Sequence, residues 1–234
     1  MHNKNPVFCA LDVNDTAKAV ELVSCLKQDI GGIKIGLEFF LSNNREGYEA
    51  LAKFGLPIFL DLKLHDIPNT VYGAVKALMT LKPAFLTIHA SGGADMIQAA
   101  VNAVKETGAG TKILAVTVLT SLEKASLDAV GQGVDVGSQV LRLARLAKDN
   151  GAGGCVCSPE EVQLLRKELG NDFVLMVPGI RPAWAASNDQ KRTLTPLEAH
   201  KAGASFLVIG RPITKASNPL EAARKISLEL GFIS

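Results

Sequence analysis

Short apolar runs alternate with longer helix-spaced stretches from one end of this 234-residue chain to the other, and that alternation restricts the fold more than any other feature. It argues for parallel βα units rather than hairpins. Strands are expected at 7–11, 32–35, 57–62, 85–89, 113–118, 154–157, 173–177 and 205–209. Each is followed by a helix candidate. Residues 17–26, 137–148 and 219–230 carry apolar side chains at three- and four-residue spacing, and Gly231 stands where the last helix should end. No Pro/Ser/Gly-rich linker or low-complexity segment divides the chain. The reading is α/β, a single (β/α)8 TIM barrel domain over residues 1–234, with an open doubly wound sheet as the alternative.

A barrel requires functional residues to gather at the carboxyl ends of its strands. Here Asp12 ends the first, Lys34 lies late in the second, and Asp61 and Lys63 end the third. His89-Ala90-Ser91-Gly92-Gly93 follows the fourth, Thr120-Ser121 the fifth, Pro178-Gly179-Ile180-Arg181-Pro182 the seventh and Gly210-Arg211-Pro212 the eighth. The region after strands seven and eight of such barrels commonly holds a phosphate. Gly210 would let the backbone approach the anion, and Arg211 offers a planar fork of donors. The mostly polar stretch from Pro178 to Thr195 reads as a lid over that phosphate.

The densest cluster is Asp61-Leu62-Lys63-Leu64-His65-Asp66-Ile67-Pro68-Asn69-Thr70, directly after the apolar 56–60. Residues two apart on a strand share a face, so Asp61 and Lys63 should point the same way. Pro68 suits the first turn of a following helix. An isolated Asp-x-Lys could be a structural ion pair, with Asp66 merely capping that helix. The fuller run from Ile58 to Thr70 resembles the signature of the orotidine 5'-phosphate decarboxylases. Ala10-Leu11-Asp12, Lys34-Ile35-Gly36, Val118-Leu119-Thr120-Ser121, Pro178-Gly179-Ile180-Arg181-Pro182 and Gly210-Arg211-Pro212 extend the resemblance, in order, over nearly the whole chain.

That resemblance implies decarboxylation of orotidine 5'-monophosphate to uridine 5'-monophosphate, the last step of pyrimidine nucleotide synthesis, without cofactor or metal. It implies that Lys63 steadies and then protonates the carbanion at C6, that Asp61 sits near the departing carboxylate, and that Lys34 and Asp12 hold ribose hydroxyls. Asp66 completes an alternating Lys34, Asp61, Lys63, Asp66 array. Thr120 and Ser121 contact substrate, and Arg181, Gln190, Gly210 and Arg211 grip the phosphate, Gln190 by its place in the similar segment Asp189-Gln190-Lys191-Arg192. In the family the residues matching Asp66, Ile67 and Thr70 reach into the neighbouring subunit's site, so the resemblance also implies a homodimer with shared active sites.

Three rival readings bear on the same residues. A class I aldolase also carries a barrel lysine, but it needs a neutral amine, and two flanking carboxylates favour the ammonium. Magnesium-dependent sugar-phosphate decarboxylases and synthases share the Asp-x-Lys-x-x-Asp core, yet carry a glutamate ligand where this chain has Lys34, and a cation there disfavours a bound metal. A non-catalytic phosphosugar-binding barrel would be expected to have lost Lys63 or an aspartate.

Bulk charge excludes other classes. With 25 Lys and Arg against 23 Asp and Glu, a net +2, no nucleic-acid or anionic-membrane partner is implied. No apolar signal core follows the N-terminus, so a cytoplasmic protein is expected. Cys9, Cys25, Cys155 and Cys157 match no zinc spacing. His65 and His89 flank the site, but the implied reaction needs no imidazole.

Overall fold

The apolar runs form eight parallel strands in the structure, a computed structural model that describes residues 5–185 and 194–232. They are β1 (Val7–Ala10), β2 (Gly32–Gly36), β3 (Ile58–Leu64), β4 (Phe85–His89), β5 (Lys112–Val116), β6 (Gly154–Val156), β7 (Val174–Val177) and β8 (Phe206–Ile209). Each strand pairs with the next, and β8 returns to β1 through Val7–Leu207, Phe8–Val208 and Cys9–Ile209. That last pairing closes the barrel and excludes the open sheet.

The helices are α1 (Thr16–Leu26), α2 (Leu37–Ala52), α3 (Pro68–Leu78), α4 (Gly93–Thr107), α5 (Lys124–Ala129), α6 (Val136–Asp149), α7 (Val162–Leu169), α8 (Pro196–Ala202), α9 (Arg211–Thr214) and α10 (Pro219–Glu229). Local chemistry starts several of them. Asp15 and Asp135 accept from the amides of Lys18 and Ser138 at the heads of α1 and α6, and Thr195 with Glu198 forms a capping box on α8. Pro68 opens α3 as expected; the residue before the helix is Ile67, and no side chain caps it, so Asp66 is not a capping residue.

Two apolar layers hold the barrel together. The larger lies between strands and helices and takes in Leu11, Ile33, Leu60, Leu86, Ile88 and Leu207, with Cys9, Cys155 and Cys157 among them as buried free thiols. Burial pushes the Cys9 thiol up to about 12, so it behaves as a small hydrophobe. The smaller layer plugs the barrel interior with Phe8, Phe59, Phe85, Leu114, Met176 and Val208. Phe8 meets Phe85 and Phe206 edge-on, at 5.8 and 5.2 Å between ring centres. Gly32 makes this possible, since a Cβ there would lie 2.4 Å from the Phe8 ring. Truncating one of these phenylalanines to alanine removes about 3–5 kcal/mol.

Above this aromatic floor, the same inward faces turn polar. Lys34 follows Gly32 by two residues on β2, Asp61 follows Phe59 on β3, and Thr87 and His89 follow Phe85 on β4. The floor seals one end, and the charged groups face the other.

One strand departs from the expected geometry. β3 continues to Leu64, two residues beyond the expected end at 62, and it does so irregularly. From Leu60 to Leu64 it advances four residues while β4 advances two, from Leu86 to Ile88. Such a bulge re-aims side chains and is typical of strand ends beside active sites. Lys63 lies within it at φ +52°, a left-handed conformation that costs a side-chain-bearing residue about 1–2 kcal/mol.

Candidate active site

Four charged side chains meet at the carboxyl ends of β1, β2 and β3. Lys63 Nζ donates to Asp61 Oδ2 at 2.8 Å; Lys34 Nζ lies 3.7 Å from that same oxygen and 3.5 Å from Asp12 Oδ1. The β2–β3 register sets Gly36 beside Asp61, which brings the long Lys34 side chain up to the aspartate. Side-chain exposure falls from 56% at Asp12 through 30% at Lys63 to 13% at Lys34 and 11% at Asp61. Shielding the Lys34 and Asp61 charges this far from water gains a protein little stability, and the desolvation can exceed the attraction. Their retention therefore needs a chemical reason.

Asp61 is held from behind. Its Oδ1 accepts from the hydroxyl of Thr87 at 3.0 Å, and the same hydroxyl accepts from the Lys63 amide at 2.9 Å. Thr87 is fully buried. It was not among the residues expected from sequence; the signal that could have found it is its two-residue spacing from Phe85 and His89 on an inward face.

Lys34, Asp61 and Lys63 form one side of a cleft of about 190 Å³. Phe59, Val116, Val118, Leu119, Val156, Pro178 and Val208 make the apolar wall, and Thr120 lines it as well. A flat, weakly polar ring fits such a slot, charged at one end and apolar on its faces. The apolar wall was not foreseen either, because a buried valine in a barrel strand looks the same whether it faces a neighbour or a ligand. Cys157 also lines the cleft, buried beside Cys155, and its thiol is held well above the ordinary range by the hydrogen bond with Cys155 and by burial.

Other expected residues are placed as follows. Gly210 and Arg211 stand at the end of β8, where Arg211 opens α9. A Cβ on Gly210 would come within 3.3 Å of both Ala10 Cβ and Asp12 Oδ2, so the position is close-packed against the Asp12 end of the array. Arg181 is buried, and its guanidinium donates to the Ile180 carbonyl at 2.9 Å. A parallel bridge between Ile180 and Leu194, with the Arg181 amide on the Leu194 carbonyl at 3.0 Å, joins the two ends of the expected lid. Gln190 lies outside the described residues. Ser121 is exposed and does not line the cleft.

Asp66, Ile67 and Thr70 stand apart from the array. All three are exposed, Ile67 to 67%. The Asp66 carboxylate accepts from the Ile67 amide at 2.7 Å and forms no ion pair with either lysine of its own chain.

His65 and His89 stack beside Lys63, 5.3 Å between ring centres and tilted by 30°. Burial, then the His65 ring and the Lys63 ammonium, hold the His89 pKa below its ordinary 6.5, with Asp61 opposing them. Native His89 thus resists a proton that the unfolded chain accepts. Stability falls as the pH drops below 6.5 and levels off below the native pKa. Thermal melts at pH 7.5 and 5.5 should show a larger drop for the parent than for His89→Gln; equal drops would remove His89 from the pH dependence.

Among the described residues, no group of three or more His, Cys, Asp or Glu is arranged to hold a metal ion, and no helix is long and apolar enough to cross a membrane.

Known proteins carry the same architecture. The chain is 53% identical over 233 residues to the orotidine 5'-phosphate decarboxylase of Paramagnetospirillum magneticum, spanning 97% of this chain and 99% of that one. It is 50% identical over 226 residues to the enzyme of that name from Novosphingobium aromaticivorans, across 97% and 99% of the two chains. The crystal structure of orotidine 5'-phosphate decarboxylase from Lactobacillus acidophilus superposes with a TM-score of 0.84 at 40% identity, covering 99% of this chain and all of that one. The model of the orotidine 5'-phosphate decarboxylase / HUMPS family matches residues 5–226, and with a closed barrel and a Lys34–Asp61–Lys63 array on that stretch, the chain belongs to this family.

Proposed function

We propose that this protein decarboxylates orotidine 5'-monophosphate to uridine 5'-monophosphate without a cofactor, as the final step of pyrimidine nucleotide synthesis. The observation that carries the reading is the Asp61 carboxylate shared by two ammonium groups at the end of an apolar slot. The nucleotide's base enters the slot. Its phosphate is received by Arg181, Gln190, Gly210 and Arg211, and its ribose hydroxyls by Asp12 and Lys34; Thr120 contacts the substrate from the cleft wall and Ser121 from outside it.

The C6–carboxylate bond breaks and carbon dioxide leaves, so the bonding pair stays on C6 in an orbital that the ring π-system does not stabilise. Barriers of this kind call for up to ~23 kcal/mol or more of transition-state stabilisation, drawn from preorganised charge and from binding energy at the phosphate. Lys63 supplies the positive charge as the pair develops and then delivers a proton to C6. Asp61 stands beside the departing carboxylate and fixes the Lys63 ammonium through its 2.8 Å contact. The enzyme is a homodimer in which Asp66, Ile67 and Thr70 complete the partner subunit's site. Four free thiols in a nucleotide-synthesis enzyme fit a cytoplasmic location.

The magnesium-dependent sugar-phosphate chemistry within the same family is disfavoured by Lys34. Its ammonium, held between Asp12 and Asp61, occupies the position where those relatives need an acidic metal ligand. The deciding experiment follows the ultraviolet loss of orotidine 5'-monophosphate by purified protein after exhaustive chelation. Full activity is expected. Activity that vanishes with chelator and returns with magnesium, or turnover of a hexulose or gulonate phosphate instead, would overturn the assignment.

A further inference from the structure

We infer that Thr87 is a positioning residue for the decarboxylation, acting through Asp61 and the backbone of Lys63. The inference rests on the decarboxylase reading for its kinetic consequence, though not for its geometry.

The bulge in β3 takes the Lys63 amide out of the regular ladder, and a partly buried amide still needs an acceptor. Thr87 Oγ1 is that acceptor, at 2.9 Å. An amide can only donate and a carboxylate can only accept, so the single hydroxyl proton has one direction left, toward Asp61 Oδ1 at 3.0 Å. The chain of bonds from the Lys63 amide through Thr87 to Asp61 therefore has a fixed polarity. It turns the other oxygen, Oδ2, toward the Lys63 and Lys34 ammonium groups at 2.8 and 3.7 Å.

Two features of the reactive lysine thus depend on one hydroxyl. The left-handed backbone at Lys63, φ +52°, is held by the amide bond, and the ammonium is held by a carboxylate whose rotation the hydroxyl sets. β4 is a rigid support for it, with Leu86 and Ile88 on either side fully buried. Thr87 does not line the cleft, so it acts on the reaction without touching substrate.

Thr87→Val keeps the shape and removes both bonds; Thr87→Ser keeps both. The valine variant should lose about 10- to 100-fold in kcat, the range expected when a charged acceptor loses a donor and a partly buried amide loses its acceptor. Thr87→Ser should stay within about threefold of the parent. Uridine 5'-monophosphate lacks the reacting carboxylate, and its Kd by calorimetry should change less than about threefold in Thr87→Val, whereas a general loosening of the site would weaken product binding and kcat together. Backbone amide exchange at Lys63 should be slow in the parent and in Thr87→Ser and faster in Thr87→Val.

A kcat for Thr87→Val within threefold of the parent overturns the inference, as does a serine variant no better than valine, or a parallel loss of product binding. If the valine variant does not fold, Thr87→Ala is held to the same thresholds. If the parent itself does not decarboxylate orotidine 5'-monophosphate, the decarboxylase reading fails. Amide exchange at Lys63 then decides separately whether Thr87 holds the bulge.

Discussion

Lys63→Ala should lower kcat by at least about 10⁴-fold, combining roughly 10²–10⁴ for a lost proton donor with roughly 10²–10³ for lost electrostatic stabilisation. The fold should survive. Alanine keeps the Cβ, so the left-handed strain at φ +52° is neither relieved nor increased. Asp61 keeps its bond from Thr87 and its approach to Lys34, and is not left as an isolated buried charge. The melting temperature should therefore move by only a few degrees, roughly 2–4 °C for each kcal/mol in a chain of this size. Binding of uridine 5'-monophosphate should weaken little, because the groups assigned to the phosphate and ribose do not include Lys63 and the product lacks the carboxylate whose loss Lys63 serves. Steady-state ultraviolet assays and calorimetry make both checks. Activity within tenfold of the parent, with no added amine, would show that another group protonates C6.

Two inactive variants should rescue each other. Within one chain the Asp66 carboxylate is exposed, bonded to the Ile67 amide and unpaired with Lys63. We propose that its target is Lys63 of the partner subunit. Asp66→Ala contributes a defective loop with a sound lysine, and Lys63→Ala the reverse. In the mixed dimer one site combines both defects, and the other is intact at these two positions. Random exchange makes about half the dimers mixed, each with one good site, so activity should recover to about a quarter of the parent's. Co-expression with differential tags and native mass measurement would verify the mixed dimers. Purified mixed dimers that stay inactive would assign Asp66 to its own chain's site.

The barrel was readable largely because parallel strands are buried on both faces and so appear as near-continuous apolar runs. The run 85–89 became β4 with the same bounds, and 219–230 became α10 ending beside Gly231 at φ +75°. Pro68 at the head of α3 was equally legible, since its ring geometry is local. α5, between Thr120 and α6, was not expected; six residues carry too little periodicity to register. The charged residues stood out because charges beside apolar runs demand a partner.

Long-range pairing decided the rest. A barrel and an open sheet present the same local pattern, and only the β1–β8 hydrogen bonds distinguish them, between residues about as far apart in sequence as the chain allows. Strand alternation alone was expected to put Asp61 and Lys63 on one face. They do meet, but across a bulge with Lys63 left-handed, a conformation that no sequence preference of lysine would suggest. Thr87 reads in sequence as an ordinary β-branched strand residue. Its hydroxyl acquires a role only when the β3–β4 register sets it between a displaced amide and a carboxylate from a different strand, a contact that exists nowhere in the local chain.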